Sequence, residues 1–210
     1  MAFDFKKEYK EFYLPPQRPA LVEVPRMRFL AVPGQGDPNE PEGAYSQAMQ
    51  LLYGMAYTLK MSPRSGHSMQ GYFDYAVPPL EGLWWQDEAA QPDYAHKQRL
   101  RWISLIRLPD FVTEADVAWA RAAAAAKKKA DFSPVQVLVY DEGLCVQCMH
   151  VGAYDAEPET LAAMAAFAQE QGCAIDVTPT RFHHEIYLSD PRRTQADKLK
   201  TVLRHPVRRV

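Results

Sequence analysis

The chain has 210 residues and a mass of 23.9 kDa; 47% of the residues are hydrophobic and 24% are charged. This composition is typical of a globular protein and excludes a disordered or fibrous chain. No apolar run approaches the roughly 18 residues of a membrane span, and the first residues contain no apolar signal-peptide core. Three cysteines cannot form a disulfide framework, so we expect a cytoplasmic protein without membrane contacts.

The formal net charge of −2 conceals an asymmetry along the chain. Residues 192–209 contain seven basic side chains and one acidic side chain, whereas the rest of the chain is acidic. Such a segment could bind nucleic acid, or it could pack back onto the acidic body. We expect the second arrangement and predict no nucleic-acid partner.

The first half of the chain predicts a strand–helix–strand–strand unit. Residues 1–25 are expected to be irregular because four prolines interrupt them. Apolar residues then recur at helical spacing from Tyr45 to Leu59. The predicted elements are a strand at 26–32, a loop at 33–41, a helix at 42–60 and strands at 71–77 and 82–85.

The second half repeats this order, which indicates a duplication with half-repeats at about 26–90 and 100–190. Thr113 and Asp116 have the spacing of a helix N-cap. The repeated elements are a strand at 144–151, a loop at 152–158, a helix at 159–171 and a strand at 181–188. Between the halves we predict a further strand at 100–107, an added helix at 114–129 and one more strand at 135–140, and after them a last helix at 194–204.

These patterns predict an α+β fold in a single domain over residues 1–210. Neither strand–helix–strand–strand unit can bury its sheet face alone. Pairing the units about a pseudo-two-fold axis gives antiparallel sheets with outer helices around a central cleft. Ligand sites concentrate at such interfaces.

The strand at 181–188 carries the main candidate site. Because side chains alternate along a strand, His183, Glu185 and Tyr187 share one face, opposite the face that carries His184. In a cleft lined by aromatic side chains, Glu185 could attract a cation or act as a base towards water, and Tyr187 could donate a hydrogen bond. The alternative is an ordinary polar strand face in solvent.

Aromatic residues are a second candidate for ligand binding. Trp84 and Trp85 are adjacent in a predicted strand, so one indole could enter the core and the other the cleft. An exposed indole offers a stacking surface for a flat ligand. Core packing is the alternative for most of the remaining candidates, which are Tyr53, Tyr57, Tyr72 and Tyr75.

Motifs for cofactors and metals are weak. Cys145 and Cys148 have the CxxC spacing, but on a strand their thiols face opposite ways and no second pair completes a zinc site. His150, His183 and Glu185 are metal-binding residue types without a spacing that makes them converge. No Walker sequence, dinucleotide fingerprint or GxSxG motif occurs. We therefore predict neither a cofactor nor a metal.

Three longer motifs resemble the stand-alone GyrI-like small-molecule-binding proteins over nearly the whole chain. They are Pro-Leu-Glu-Gly-Leu-Trp-Trp at 79–85, Met-His-Val-Gly-Ala-Tyr-Asp-Ala-Glu-Pro at 149–158, and His-Glu-Ile-Tyr-Leu-Ser-Asp-Pro-Arg-Arg-Thr at 184–194, followed by Lys-Leu-Lys-Thr-Val-Leu-Arg at 198–204. The resemblance implies the tandem fold inferred above. It also implies a site that holds lipophilic, often cationic aromatic compounds between aromatic rings and a buried glutamate, which Glu185 fits best.

The resemblance leaves two functions open. In the first, the chain is a binding module that sequesters planar lipophilic or cationic compounds and so gives resistance to a drug or toxin. We expect it to act as a monomer or a homodimer. Some stand-alone members of the family are described as hydrolases that open the cyclopropane of DNA-alkylating natural products. In that alternative, Glu185 guides water, Tyr187 assists the developing oxyanion, and tryptophans hold the flat compound.

Overall fold

The computed structural model describes residues 2–86 and 94–210. Within these residues the chain forms five α-helices and nine strands. The helices are α1 (Phe5–Glu8), α2 (Lys10–Tyr13), α3 (Ala44–Lys60), α4 (Glu114–Lys128) and α5 (Glu157–Glu170). The strands are β1 (Ala20–Val24), β2 (Met27–Gln35), β3 (Leu80–Trp85), β4 (Arg101–Arg107), β5 (Gln136–Tyr140), β6 (Gly143–Val151), β7 (Cys173–Ile175), β8 (His183–Tyr187) and β9 (Lys200–Arg209). No helix in these two ranges has the length and apolar character to cross a bilayer.

The three long helices follow the sequence signals. Helix α4 begins at a capping box formed by Thr113 and Asp116, as their spacing predicts. Helix α5 is followed by Gly172, whose positive φ of 68° suits glycine after a helix end. Four members of the predicted apolar stripe of α3 are buried: Ala48, Leu52, Met55 and Leu59.

The predicted duplication is visible in the sheet. Strands β2, β3 and β4 lie in the order β3-β4-β2, and their counterparts β6, β8 and β9 lie in the order β8-β9-β6. The two units meet through antiparallel pairing of β3 with β8. We call this junction the seam. It lies at the centre of one antiparallel sheet, so the two units share a continuous sheet instead of forming separate ones.

The leading strand of each unit pairs with the other unit. Strand β1 joins β6, and β5 joins β2, so these strands lie at opposite ends of the sheet order. Only two residues separate Val24 from Met27, which limits their Cα distance to about 11 Å. Six strand spacings would separate β1 from β2 by about 29 Å in a flat sheet. The sheet must therefore curl until its two ends approach each other.

The curl defines an inner and an outer face. On the inner face, side chains from the sheet ends and from the central strand β8 surround a cavity of about 10 Å³. This face packs against the N-terminal segment through Phe5, Phe12 and Tyr13. Helices α3 and α4 cover one part of the outer face, and α5 covers the other. Cys145 and Cys148 lie on opposite faces, as their strand spacing predicts.

Three sequence predictions of secondary structure are wrong. The predicted helix at 194–204 is a short 3₁₀ turn at Ala196–Lys198 followed by strand β9, so the second unit extends past residue 190. Strand β9 is buried from residue 201 to 207 because both faces of the curled sheet are covered. That continuous burial hides the alternation by which a strand is recognised.

The other two errors concern the N-terminal half. The segment 71–77 forms no strand beyond an isolated bridge between Tyr75 and Phe3, because its aromatic rings pack against the N-terminal segment. The lead-in is not irregular, since it contains α1, α2 and β1. Its prolines flank these elements and do not interrupt them.

A buried ionic network connects the two units on the inner face. His184 lies 3.0 Å from Glu81 across the seam and 2.9 Å from Glu142 on its other side. Arg204 donates hydrogen bonds to Glu142 and Gln147, at 3.0 Å and 3.1 Å. The prediction that the basic C-terminal segment packs back onto the body is therefore confirmed for Arg204.

This network makes the stability of the protein dependent on pH. Burial lowers the pKa of His184, but Glu142 and Glu81 outweigh burial and raise the pKa from 6.5 to about 9. Burial raises the pKa of Glu142, but His184 and Arg204 lower it from 4.5 to about 2. The stabilisation from His184 is complete below pH 6.5 and is lost as the pH rises through 9. The stabilisation from Glu142 is complete above pH 4.5 and is lost as the pH falls through 2.

Burial and the neighbouring His183 lower the pKa of His205 to about 3, so the stabilisation that depends on its neutral form is lost as the pH falls below 6.5. We therefore expect the free energy of unfolding to be greatest near pH 6.5 and to fall on both sides. Replacement of His184 by Gln removes the titrating charge, so it should flatten the decline above pH 6.5 while lowering stability at pH 6. Urea unfolding across this range measures both effects. His150→Gln is the matched control, because His150 is buried but bonded to the neutral groups of Thr160 and Ala153. An H184Q variant that keeps the wild-type slope would contradict the role of the network.

Candidate functional site

The seam carries a polar cluster on the outer face of the sheet. Strand β8 contributes His183, Glu185 and Tyr187, and β3 contributes Trp84 beside them. The first residue of α5, Glu157, and the second residue of α3, Tyr45, also approach Glu185. The two pseudo-symmetric helices thus bring their N-terminal turns to one carboxylate, and N-terminal helix ends favour a negative charge.

Glu185 is buried, and both of its carboxylate oxygens have hydrogen-bond partners. Its Oε1 atom lies 2.9 Å from Nε2 of His183. Its Oε2 atom accepts a hydrogen bond of 2.8 Å from the hydroxyl of Tyr187. Each carboxylate oxygen can accept two hydrogen bonds, so both retain capacity for a ligand or a water molecule.

The Tyr187 hydroxyl connects Glu185 to an indole. It accepts a hydrogen bond of 2.8 Å from Nε1 of Trp84. The space for this contact depends on Gly82, which lies directly opposite Glu185 in the strand pairing. A Cβ atom at Gly82 would lie 2.5 Å from Nε1 of Trp84 and 3.1 Å from the Tyr187 hydroxyl. The absence of a side chain at Gly82 therefore permits the hydrogen-bonded row from Trp84 to Glu185.

Three phenols keep their protons around this carboxylate. Burial is the main cause that raises the pKa of Tyr45, Tyr154 and Tyr187, and the charge of Glu185 is the second cause for each. The pKa of Tyr154 rises to about 12. All three hydroxyls therefore keep their protons at neutral pH and can donate hydrogen bonds beside Glu185.

Aromatic rings surround the same cluster. Tyr45 packs against Trp84 at 5.5 Å between ring centroids and meets Trp102 edge-on at 5.1 Å. Tyr154 meets Tyr187 edge-on at 6.1 Å. Aromatic side chains from both units therefore flank Glu185, and such rings bind flat apolar groups.

Three of the buried groups have the chemistry of metal ligands. Donor atoms of Glu157, His183 and Glu185 all lie within 4.8 Å of one another. A divalent cation could bind to this set. However, two of the three donors are the His183 and Glu185 atoms that already lie within hydrogen-bond distance of each other. His183 and Glu185 therefore contact each other directly, and the expectation that this site binds small molecules without a metal stays a prediction.

The structure places the tyrosines predicted on α3 away from this cluster. Tyr53 and Tyr57 stack on each other at 6.3 Å, and their side chains are 36% and 53% exposed. Tyr53 lies near the charges of Asp190 and Arg192. Tyr45 lies on a different face of α3 and is the tyrosine of this helix that approaches Glu185. A ligand contact at Tyr53 or Tyr57 stays a prediction.

The remaining predicted aromatics lie with the N-terminal segment or on the inner face. Trp85 packs against Phe182 at 4.9 Å, on the opposite face from Trp84. The hydroxyl of Tyr72 donates to the carbonyl of Lys60, and Tyr75 is buried in the inner-face core. Of the predicted ligand-binding residues, Trp84 and His183 are the ones brought next to Glu185 and Tyr187.

Sequence reasoning missed four residues at or next to the cluster: Tyr45, Tyr154, Glu157 and His205, whose Nε2 atom lies 2.7 Å from Nδ1 of His183. Tyr45 belongs to the apolar stripe of α3, which predicts core packing and nothing more. Tyr154 and Glu157 lie in the motif at 149–158 that carries the family resemblance, so that motif contained the signal. The sequence predicts a helix that ends at residue 204, so it does not place His205 on a strand. In the structure His205 lies on strand β9.

Comparison with protein-family models identifies a family. The model of the GyrI-like small molecule binding domain matches residues 17–208. A search of curated proteins found no significant match. Among solved structures, an uncharacterised conserved protein from Listeria innocua is 46% identical, with a TM-score of 0.92, over 98% of this chain and 100% of that chain.

Two further solved structures are described as hydrolases from Listeria innocua. One is 45% identical with a TM-score of 0.89, over 98% of this chain and 100% of that chain. The other is 44% identical with a TM-score of 0.91, over 99% of this chain and 100% of that chain. The C-terminal domain of EcmrR is 14% identical with a TM-score of 0.54, over 92% and 98% of the two chains, which shows a shared fold alone.

The row from Trp84 to Glu185 predicts a specific effect of Gly82→Ala. The added Cβ would displace the indole, so we expect the free energy of unfolding to fall by about 1–3 kcal/mol and the indole N–H signal of Trp84 to shift in an NMR spectrum. Trp84→Phe removes the Nε1 atom, so the double variant should recover part of the lost stability. Strictly additive effects in this double-mutant cycle would contradict the contact.

Proposed function

Because the chain belongs to the GyrI-like small-molecule-binding family, we propose that it binds planar, lipophilic or cationic aromatic compounds beside Glu185 and Trp84. One observation carries this proposal: a buried carboxylate, with a hydrogen-bond partner at each oxygen, lies next to aromatic rings from both units. His183 and the Tyr187 hydroxyl orient this carboxylate.

The physical basis of binding is the environment of that charge. A carboxylate in a region of low dielectric constant attracts a cation more strongly than one in water. Neighbouring indole and phenol faces add cation–π attraction and favourable burial of a flat apolar ring. A ligand that is both planar and cationic satisfies all of these interactions at once. Planar neutral compounds would bind through the rings alone and therefore more weakly.

Hydrolysis is the second candidate, and two observations favour it. Solved structures 44% and 45% identical to this chain are described as hydrolases. In addition, Glu157 places a second carboxylate group beside Glu185 and His183. A ligand held against this cluster would lie next to several phenolic donors and a carboxylate that can accept a further hydrogen bond from water.

The reaction class is addition of water to a strained electrophilic ring such as a cyclopropane conjugated to a carbonyl. Glu185 takes a proton from water while the water oxygen bonds to a ring carbon. The carbon–carbon bond of the ring breaks, and its electron pair moves to the carbonyl oxygen. Once Glu185 is protonated, it no longer holds the Tyr187 hydroxyl, which can turn to stabilise that oxygen. The proton on Glu185 then passes to the product oxygen, so one water is added in total.

Trp84 and Trp85 form a matched pair for testing the binding site. We expect Trp84→Ala to weaken binding of a planar cationic dye at least tenfold, because this indole lies against Tyr45 and Tyr187. Trp85→Ala should leave the affinity within about twofold, because Trp85 packs against Phe182 on the other face. Fluorescence titration measures both. Equal effects of the two substitutions, or no effect of either, would contradict the proposed site.

Glu185→Gln distinguishes the two functions, because it keeps the shape and removes the charge. For a binding module, we expect weaker binding of a cationic dye and unchanged binding of a neutral planar dye. For a hydrolase, incubation of the wild type with a spirocyclopropane alkylator should give a product heavier by one water, and the variant should give none while retaining most of its affinity. Saturable binding of the alkylator without any such product would reject hydrolysis and leave the binding function.

A further inference from the structure

A second histidine supports the cluster from behind. His205 lies on β9 and is buried, and its Nε2 atom is 2.7 Å from Nδ1 of His183. The other ring nitrogen of His183 faces Glu185 at 2.9 Å. Two imidazoles and one carboxylate therefore form a continuous row, in which each contact requires one donor and one acceptor.

The charge of His205 limits how the protons can be arranged. Burial and the neighbouring His183 lower the pKa of His205 to about 3, so His205 is neutral at physiological pH. A neutral imidazole carries its proton on one nitrogen only. If His205 carries the proton on Nε2, it donates to Nδ1 of His183. If it carries the proton on Nδ1, its Nε2 atom must accept from His183.

The two arrangements differ in the number of protons that the row needs. In the first, a neutral His183 has its proton on Nε2 and donates it to Oε1, which suits an ionised carboxylate. In the second, Nδ1 of His183 carries a proton, so the contact with Oε1 requires a further proton, either on Nε2 of an imidazolium or on Glu185. The Tyr187 hydroxyl already donates to the other oxygen, as it would to an ionised group. The first arrangement therefore satisfies every contact with the fewest protons, since it needs neither a charged His183 nor a proton on Glu185.

We propose that His205 is a positioning residue for Glu185: it donates its Nε2–H to Nδ1 of His183 and so fixes the His183 proton on Nε2, where it is donated to the carboxylate. His205 thereby orients the Glu185 carboxylate without touching the ligand. The importance of this role for binding or hydrolysis rests on the function proposed above, but the tautomer itself does not. The titratable groups that surround this row are Glu157 from α5, Tyr45 from α3, Tyr154 from the turn before α5, and Tyr187 from β8.

Three substitutions on β9 separate the effect of losing the hydrogen-bond donor of His205 from the effect of changing side-chain packing. Replacement of His205 by Gln keeps an N–H donor near the position of Nε2, whereas His205→Phe keeps the ring volume and removes the donor. Thr201→Val is the matched control, because Thr201 lies on the same face of β9, is buried, and its hydroxyl has no hydrogen-bond partner in residues 2–86 and 94–210. Urea unfolding checks that each variant is folded.

The first measurement is the tautomer of His183, from the ¹⁵N chemical shifts of its ring in the protein without ligand. We expect protonated Nε2 and bare Nδ1 in the wild type, H205Q and T201V, and a change in this pattern in H205F. A wild-type His183 with a proton on Nδ1, whether or not Nε2 is also protonated, would overturn the proposal. So would an H205F variant with the wild-type pattern. Neither outcome depends on whether the protein binds the proposed ligands.

The second measurement is the pH dependence of binding of a planar cationic dye. Loss of a hydrogen bond to a charged group should move the acidic midpoint of binding upwards by about one pH unit in H205F. H205Q should restore the midpoint, and T201V should not move it. Equal shifts in H205Q and H205F would show a packing effect and overturn the positioning role. If the tautomer pattern is as expected but no dye binds to the wild type, the proposed function fails and the tautomer assignment stands.

Discussion

Antiparallel pairing of β3 with β8 is the constraint on which the rest of the structure depends. It joins the two units into one sheet, and its register places Gly82 opposite Glu185 and Trp84 opposite His183. A shift of one residue would exchange the faces of every side chain on β8. Glu185 would then face the inner ionic network, and His184 would face the aromatic rings. Fold and site are thus fixed by the same register.

The polar residues on both faces of β8 make that register costly to change. His184 on the inner face lies between Glu81 and Glu142, and Glu185 on the outer face lies between His183 and Tyr187. Buried polar groups require these partners, so a shifted strand would leave charges unpaired on both sides. Apolar packing alone would tolerate a shifted register more easily, because apolar side chains have no donors and acceptors that must be matched.

Much of the fold follows from local patterns in the sequence, and its exceptions have physical causes. The stripe of α3, the cap of α4 and the alternation in β8 are local signals, and each is present in the structure. Strand β9 carries no alternation because both of its faces are buried, and segment 71–77 resembles a strand because its aromatic residues serve an N-terminal contact. In the candidate site, the alternation of side chains along β8 is enough to place His183, Glu185 and Tyr187 on one face of the sheet. Tyr45 and Glu157 reach them only through the arrangement of two distant helices.

The exchange of leading strands between the units bears on how the fold arose. Strand β1 pairs with β6 of the second unit, and β5 pairs with β2 of the first. One isolated unit would keep its own β2, β3 and β4 contacts but leave a sheet edge open and a leading strand without a partner. Two separate copies of an ancestral unit could complete this sheet only as a strand-exchanged homodimer. In the present chain both units lie on one polypeptide, so this association is intramolecular and the two units can differ in sequence, with Glu185 on β8 facing Gly82 on β3.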